Sequence, residues 1–270
     1  MFKLTVLLLC IFNGSCGRSE ARETINPMDV LKQKKTLYFS LVTNPYNYMQ
    51  DCDSLTFIGL WEASGAPWVD LFAHERSTGK WFRHPEVCYP HRSRSSISFE
   101  GILGALHALW NRRDFNAIRR MQDFGNSRYW LMGEGPLEYT FMPHIAPLIA
   151  KMLGKKMEPL GSDPWLAIKG YKLNVVANYI YLKAKVYGGI NKLEIAFLRE
   201  AISQKPQNPI FHALLHRYTD GNQEIAIKIL MNEQNFPFDR LPDRSLDLFH
   251  WSDAPAVVLY TYVVSILEST

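Results

Sequence analysis

Acidic side chains stand at the predicted starts of several helices, where they could take part in chemistry. The segment DCDSLTFIGLWEASG places Asp51 and Asp53 before a largely apolar stretch. Glu100 and Asp253 stand at the starts of two further apolar stretches. Glycoside hydrolysis uses two carboxyl groups across a cleft, one protonated and one ionised. We therefore predict Asp53, Glu100 and Asp253 as candidate catalytic acids, and Asp51 as a substrate-binding residue.

A second set of residues has the types that bind sugars or anionic polymers. Aromatic rings can stack on sugar rings, and arginine binds carboxylate or phosphate groups through two parallel hydrogen bonds. Beside Asp51, the predicted substrate-binding residues are Arg83, Arg94, Trp130, Tyr139, His144, Tyr171 and Trp251. In a polysaccharide lyase, Tyr89 would act as the base while Arg94 neutralises a uronate.

Each of these patterns also has an interpretation without ligand chemistry. Asp and Ser at a helix start accept hydrogen bonds from free backbone N–H groups, and Glu in the first turn is favoured by the helix dipole. The segment SISFEG, which contains Ser98 and Glu100, fits that pattern. The basic stretch from Lys80 to Arg94 is either an anion-binding loop or a solvated surface balanced by Glu75 and Glu86.

Other catalytic and metal-binding patterns are weak. His212 and His216 share a helix face, but Ala213 stands where the HExxH zinc motif has Glu. We predict that these histidines pack against aromatic neighbours, and that the chain has no metal site and no cofactor. The sequence contains no GxSxG elbow, phosphate-binding loop or dinucleotide-binding motif.

The first residues are typical of an export signal. Lys3 precedes the short apolar run LTVLLLCIF, and the following NGSC resembles a bacterial lipobox that would make Cys16 the lipid acceptor. Ordinary cleavage nearby, for instance after Ala21, stays open because Asn13 departs from the lipobox pattern. We expect a signal at 1–16, a linker at 17–26 and one domain at 27–270. A periplasmic or outer-membrane lipoprotein, or a secreted protein, would follow.

Cysteine count suggests one disulfide in the mature chain. Cys52 and Cys88 are the pair that remains after Cys10 and Cys16 are assigned to the signal. An even pair in an oxidising compartment favours a disulfide, which would stabilise the fold by about 3 kcal/mol. The alternative is two separate buried thiols.

Composition and periodicity predict one all-α domain. The chain has 270 residues, 47% of them hydrophobic, and a net charge of +4, which gives no indication of nucleic-acid binding. Apolar residues recur at helical spacing over most of its length. The stretch 97–127 predicts a pair of helices joined by a short turn at 111–114. The other predicted helices cover 27–49, 51–64, 142–154, 165–187, 191–204, 208–219, 222–233 and 252–268. The stretch 66–97 instead predicts a long ordered loop or a small hairpin. Helix starts at steps of forty-odd residues favour stacked helical hairpins, arranged as an α/α toroid or barrel.

Several segments together resemble a family of bacterial and phage helical proteins of uncharacterised activity. They are DCDSLTFIGL, GKWFRHPEVCYPHRSRSSIS, NSRYWLMGEG, HRYTDGNQEIAIKIL and FPFDRLPDRS. The hairpin layout is similar to the α/α toroid of many glycosidases and polysaccharide lyases. The family has no established activity to carry over. The export signal, the candidate acids and the aromatic and basic residues together predict an exported protein that acts on or binds a polysaccharide or cell-wall glycan. The alternatives are a non-catalytic ligand-binding protein and a scaffold that binds partner proteins through TPR-like hairpins such as 191–230.

Overall fold

A computed structural model describes residues 26–41, 54–67, 70–85, 97–132, 140–156, 173–232 and 254–269. Within these ranges the chain is mostly helical, which confirms the all-α fold class. None of the described helices is both long and apolar enough to cross a membrane.

Ten α-helices and two short hairpins make up the described part of the chain. The helices are α1 Pro27–Leu41, α2 Ser54–Ala63, α3 Phe99–Arg112, α4 Phe115–Ser127, α5 Ala146–Met152, α6 Leu173–Tyr187, α7 Lys192–Gln204, α8 Pro209–Tyr218, α9 Gln223–Met231 and α10 Ala254–Glu268. The strands are β1 Glu75–Ser77, paired antiparallel with β2 Lys80–Trp81, and β3 Leu131–Met132, paired antiparallel with β4 Thr140–Phe141. The first hairpin confirms the interpretation of 66–97 as far as that stretch is described.

Side-chain caps explain where several helices begin. The Ser98 hydroxyl accepts a hydrogen bond from the Gly101 N–H at 3.0 Å, and Asp114 Oδ1 accepts one from Ala117 at 2.9 Å. Each cap satisfies a backbone donor that has no partner inside the helix. The capping interpretation of Ser98 is therefore confirmed, and Asp114 caps α4 in the same way.

Two hydrophobic core clusters meet along α2 and α6. On α2, Phe57 and Trp61 belong to the first cluster, which also contains residues of α1, α7, α8, α9 and α10. Leu55 and Ile58, on another face of α2, belong to the second cluster with α3, α4 and α5. Every residue of α2 from Ser54 to Glu62 is buried. A helix that is apolar on all sides is expected at such a central position.

The backbones of α2 and α3 lie in direct contact at two glycines. A Cβ atom built on Gly104 would lie 2.6 Å from the Leu55 carbonyl oxygen and 2.6 Å from Thr56 Cα. A Cβ atom built on Gly59 would overlap the carbonyl group of Gly104. The two helices can approach this closely because neither glycine carries a side chain.

Five helices, α2, α3, α6, α8 and α10, run in the same direction. Their starting ends are linked, for example by the 2.5 Å hydrogen bond from Asn208 Nδ2 at α8 to Asn174 Oδ1 on α6. Their finishing ends are linked as well. Ser265 Oγ on α10 donates to the Ser64 carbonyl at 2.8 Å, and Arg217 Nη1 on α8 donates to the Ile266 carbonyl at 3.2 Å. The starts of these helices therefore face one end of the domain.

Helix α1 packs against α10 in the opposite direction. Tyr38 of α1 packs edge-on to Tyr260 in the middle of α10, with ring centroids 5.3 Å apart. At the end of α10, Lys35 pairs with Glu268, so α1 runs antiparallel to α10. Parallel inner helices with antiparallel outer neighbours are the arrangement that a toroid requires. The closure of a toroid stays a prediction.

Candidate functional site

A small cleft lies where the starts of the parallel helices meet. Its walls come from α2, α3, α6 and α10. Its volume is about 10 Å³, which is room for one water-sized group. The polar residues that line it are Thr56, Glu100, Asn174 and Asn178, and the apolar ones are Phe57, Leu60, Leu103, Val175 and Leu259. Positions from 56 to 259 thus contribute to one site because their helices are parallel.

Two polar atoms of the lining residues are buried without a hydrogen-bond partner. They are the Thr56 hydroxyl on α2 and the Asn178 side-chain oxygen on α6. Thr56 is 4% exposed and Asn178 is 7% exposed. A buried polar group without a partner costs roughly 1–3 kcal/mol. A ligand or water that reached these atoms would recover that free energy.

The neighbouring Asn174 is held in one orientation. Its side-chain oxygen accepts the hydrogen bond from Asn208, while Asn208 Oδ1 accepts one from the Ile210 N–H at 3.2 Å. Asn208 is also the N-cap of α8. The cap of one helix therefore positions a side chain on the wall of the cleft.

Glu100 contributes the one carboxylate among the described residues that line the cleft. It is half-buried in the first turn of α3, two residues after the capping Ser98. Asp53 and Asp253, its predicted partners, directly precede α2 and α10 in sequence but lie outside the described residues. The prediction of a pair of acids therefore stays a prediction, with Glu100 as its described member.

Three other predicted site residues lie near the cleft or in the core. The Arg83 carbonyl accepts a 3.0 Å hydrogen bond from the Leu55 N–H, so Arg83 holds the start of α2. The His144 ring packs edge-on to Phe99, the first residue of α3, with ring centroids 4.8 Å apart. Trp130 belongs to the second core cluster and is 8% exposed, which leaves little ring surface for stacking on a sugar.

The other predicted residues lie outside the part of the chain that the structure describes. They are Cys16, Asp51, Cys52, Asp53, Cys88, Tyr89, Arg94, Tyr139, Tyr171, Trp251 and Asp253. The lipidation, the disulfide and the aromatic stacking surface therefore stay predictions.

A buried Ser–His contact escaped the sequence analysis. Ser54 Oγ lies 2.8 Å from His74 Nε2, and His74 Nδ1 donates to the Leu71 carbonyl at 3.2 Å. Both Ser54 and His74 are completely buried, so no substrate can reach the hydroxyl. The contact joins the start of α2 to the turn before β1, and its role is structural.

The two histidines of α8 bond to backbone carbonyls. His212 Nε2 donates to Pro206 at 2.9 Å, and His216 Nδ1 donates to Gly221 at 2.7 Å. These bonds occupy one ring nitrogen of each histidine, and the packing against aromatic neighbours stays a prediction. Over the described ranges, no three His, Cys, Asp or Glu side chains come together as a metal site.

Behind the cleft, a buried polar contact continues toward the far end of the helices. His107 Nε2 donates to the Asn178 carbonyl at 3.1 Å, and the Tyr262 hydroxyl lies 3.3 Å from the same nitrogen. Burial, with a contribution from the charge of Lys185, lowers the pKa of His107 to about 3. His107 is therefore neutral at physiological pH, and it is a packing residue, not an acid or base at pH 7.

Comparisons with protein-family models, curated proteins and solved structures find no match to this chain.

Proposed function

We propose that the chain binds a carbohydrate at the cleft formed by the starts of α2, α3, α6 and α10. The observation that carries this proposal is the pair of buried polar atoms without partners, on Thr56 and Asn178, in the lining of the cleft. Buried polar groups in proteins nearly always have a partner, and exceptions point to a bound water, a ligand or a functional role.

The chemistry of the lining favours a ligand with hydroxyl groups. Asn178 Oδ1 and the Glu100 carboxylate are acceptors, while the Thr56 hydroxyl can donate or accept. A sugar hydroxyl matches both roles because it also donates and accepts. The space of about 10 Å³ admits one such group, so the body of the ligand would lie at the mouth of the cleft.

Catalysis is a narrower form of the same proposal. Glu100 would be one carboxyl group of a hydrolytic pair, and Asp53 or Asp253 would be the other, at about 5–10 Å. The export signal predicted from Lys3 and the apolar run after it supports a ligand outside the cytoplasm, such as a cell-wall glycan.

The test is glycan binding by calorimetry with the Thr56→Val variant. Valine keeps the shape of threonine and removes a hydroxyl that lacks a partner in the protein, so we expect the fold to keep or gain stability. Binding of a glycan from a panel of neutral and acidic polysaccharides and peptidoglycan should weaken about tenfold, the value of one hydrogen bond.

Thr261→Val is the matched control. Thr261 is also completely buried on a parallel helix, but its hydroxyl donates to the Val258 carbonyl at 2.9 Å. This variant should lose stability and keep glycan affinity. If wild-type protein binds no glycan of the panel, or if Thr56→Val binds as tightly as wild type, the proposal fails. A bridging water would then be the hydrogen-bond partner of the Thr56 hydroxyl and Asn178 Oδ1. The alternative of a scaffold that binds partner proteins would be favoured.

Turnover is measured on the same panel as new reducing ends and unsaturated products. Glu100→Gln should abolish hydrolysis while binding persists, because glutamine keeps the size of the side chain but cannot ionise. Binding without turnover in wild type would make this a non-catalytic binding protein.

A further inference from the structure

A cluster of cations lies at the other end of the parallel helices, where α3, α6 and α8 finish. It consists of Arg113, Lys185 and Arg217, and we refer to it as the cation cluster. Lys185 Nζ lies 5.5 Å from the centre of the Tyr181 ring, and Arg217 Cζ lies 5.7 Å from the same ring centre. Two positive charges therefore lie close to a single aromatic side chain.

The hydrogen bonds of the cluster are to neutral groups. Lys185 Nζ donates to Asn111 Oδ1 at 2.7 Å, and Arg217 Nη1 donates to the Ile266 carbonyl. Arg217 Nε is buried without a hydrogen-bond partner. Arg113 packs over Trp110, with Cζ 4.8 Å from the ring centre. The three side chains still have hydrogen-bonding capacity for an acceptor.

Four partly buried cations in the described chain pair with a carboxylate. Arg112 pairs with Glu62, Arg120 with Glu75, Lys183 with Glu194 and Lys35 with Glu268. Among the described residues, Lys185, Arg217 and Arg113 have no such partner. Lys185 and Arg217 are partly buried and Arg113 is exposed beside them. Partly buried charges that are not neutralised are costly, so Lys185 and Arg217 differ from those four paired cations.

The helix dipole does not supply the missing negative charge in full. Helix C-termini favour cations and would raise the pKa of a lysine. Burial and the charges of Arg217 and Arg113 nevertheless lower the pKa of Lys185 to about 8. Desolvation and the repulsion between these cations therefore lower the pKa of Lys185 by more than the helix dipoles raise it. An anion bound here would offset both costs.

We propose that the cation cluster binds a phosphate-type oxyanion, independently of the carbohydrate cleft. Lys185 and Arg217 donate hydrogen bonds to its oxygens, and Arg113 adds positive charge at the rim. Arginine and lysine are the side chains that bind phosphate, and hydrogen bonds between charged groups are about twice as strong as neutral ones.

The site has a pH dependence with a defined sign. A bound oxyanion stabilises the protonated form of Lys185, so binding at pH 7 takes up a fraction of a proton and weakens as the pH rises through 8 to 9. The groups near Lys185 are His107 and Asn111 from α3, Arg113 directly after α3, Tyr181 from α6, and Arg217 and Tyr218 from α8. His107 is neutral in this range because its pKa is lowered to about 3. Burial raises the pKa of Tyr181 and of Tyr218, so these hydroxyls stay neutral in this range.

The experiment measures binding of inorganic phosphate, sulfate and glucose 1-phosphate by calorimetry at constant ionic strength in chloride. Lys185→Met and Arg217→Gln should each weaken phosphate binding at least tenfold. Lys192→Met and Arg199→Gln are matched controls, since both side chains are exposed on α7, and they should bind as wild type does. Tighter binding of the sugar phosphate than of inorganic phosphate would assign the site to a phosphate group on a larger molecule.

The melting temperature of Lys185→Met gives a second measurement, which separates loss of the site from loss of the fold. Removal of a half-buried cation that is repelled by two arginines should leave the melting temperature equal or higher, and phosphate should no longer raise it. The inference is overturned if phosphate raises the melting temperature of wild type no more than chloride at equal ionic strength, or raises that of both variants as much. Thr56→Val should leave phosphate binding unchanged, so the two proposals can fail separately.

Discussion

Substituting Gly104 by alanine tests the contact on which the arrangement of the parallel helices depends. The added Cβ atom would lie 2.6 Å from the Leu55 carbonyl oxygen, 2.6 Å from Thr56 Cα and 2.7 Å from the Thr56 carbonyl oxygen. All three atoms are backbone atoms of α2, so no flexible side chain can move aside. To reach an ordinary contact, α2 must shift by nearly an ångström within its two core clusters.

The magnitude follows from two opposing terms. Overpacking of a well-packed core costs roughly 1–3 kcal/mol, and the backbone contacts place this site near the upper end. Alanine gains about 1 kcal/mol over glycine in helix propensity. We therefore expect Gly104→Ala to lower the free energy of unfolding by about 2 kcal/mol, from a total of roughly 5–15 kcal/mol.

Gly101→Ala, one turn earlier on the same helix, is the control. Its Cβ atom would meet Ile97 Cδ1, Leu55 Cδ2 and Ser98 Oγ at 3.4 Å, which is ordinary van der Waals contact. This variant should keep the propensity gain and be up to about 1 kcal/mol more stable than wild type. The two variants should then differ by about 3 kcal/mol.

The assay is urea unfolding followed by circular dichroism and tryptophan fluorescence. For an m-value of about 3 kcal/mol per molar urea, the two midpoints should differ by about 1 M. Equal midpoints for Gly101→Ala and Gly104→Ala, with unchanged m-values, would refute the direct backbone contact between α2 and α3.

Three further predictions concern pH, a buried ion pair and the cysteines. The lowered pKa of His107, about 3 against 6.5 in the unfolded chain, means that its contribution to stability is complete above pH 6.5 and is lost as the pH falls toward 3. Between pH 6.5 and pH 4 this group should remove about 3 kcal/mol, and His107→Gln should flatten the curve of unfolding free energy against pH. Glu62→Gln should cost about 3 kcal/mol in urea unfolding, because it leaves Arg112 buried without its carboxylate. Adding Arg112→Met to that variant should restore much of the loss; no recovery would mean that the pair does not couple. Cys52 and Cys88 should appear as one disulfide-linked peptide in mass spectrometry of the non-reduced mature protein, and two free thiols would support the alternative.

Local sequence signals predicted the helices well. The apolar period of 3.6 residues and caps such as Asp114 act over a few residues, so both can be read without knowledge of the fold. The start of α3 at Ser98 and Phe99 is one example. The starts of α2, α3, α6 and α10 meet at the cleft because hairpins return the chain to the same end of the domain.

The identity of the cleft residues was harder to predict. The sequence prediction rests on ionisable and aromatic side chains, whereas Thr56, Asn174 and Asn178 are neutral residues with apolar neighbours in the sequence. Their importance comes from burial without partners, and burial depends on packing between helices more than a hundred positions apart in sequence. Glu100 was found because it combined an acid with a helix start. Trp130 was chosen for its ring type alone, which says nothing about whether the ring faces solvent.

The glycine contact between α2 and α3 also restricts how these helices can slide past each other. A shift by one residue would place Ile58, Leu60, Leu103 or Ala105 at the position of closest approach, and none of these side chains fits between touching backbones. One axial register is therefore allowed. Thr56 and Glu100 lie on these two helices. Their relative position along the helix axes is therefore determined by Gly59 and Gly104, which carry no side chain. A substitution at Gly59 or Gly104 would thus displace Thr56 and Glu100 relative to each other before it unfolded the domain.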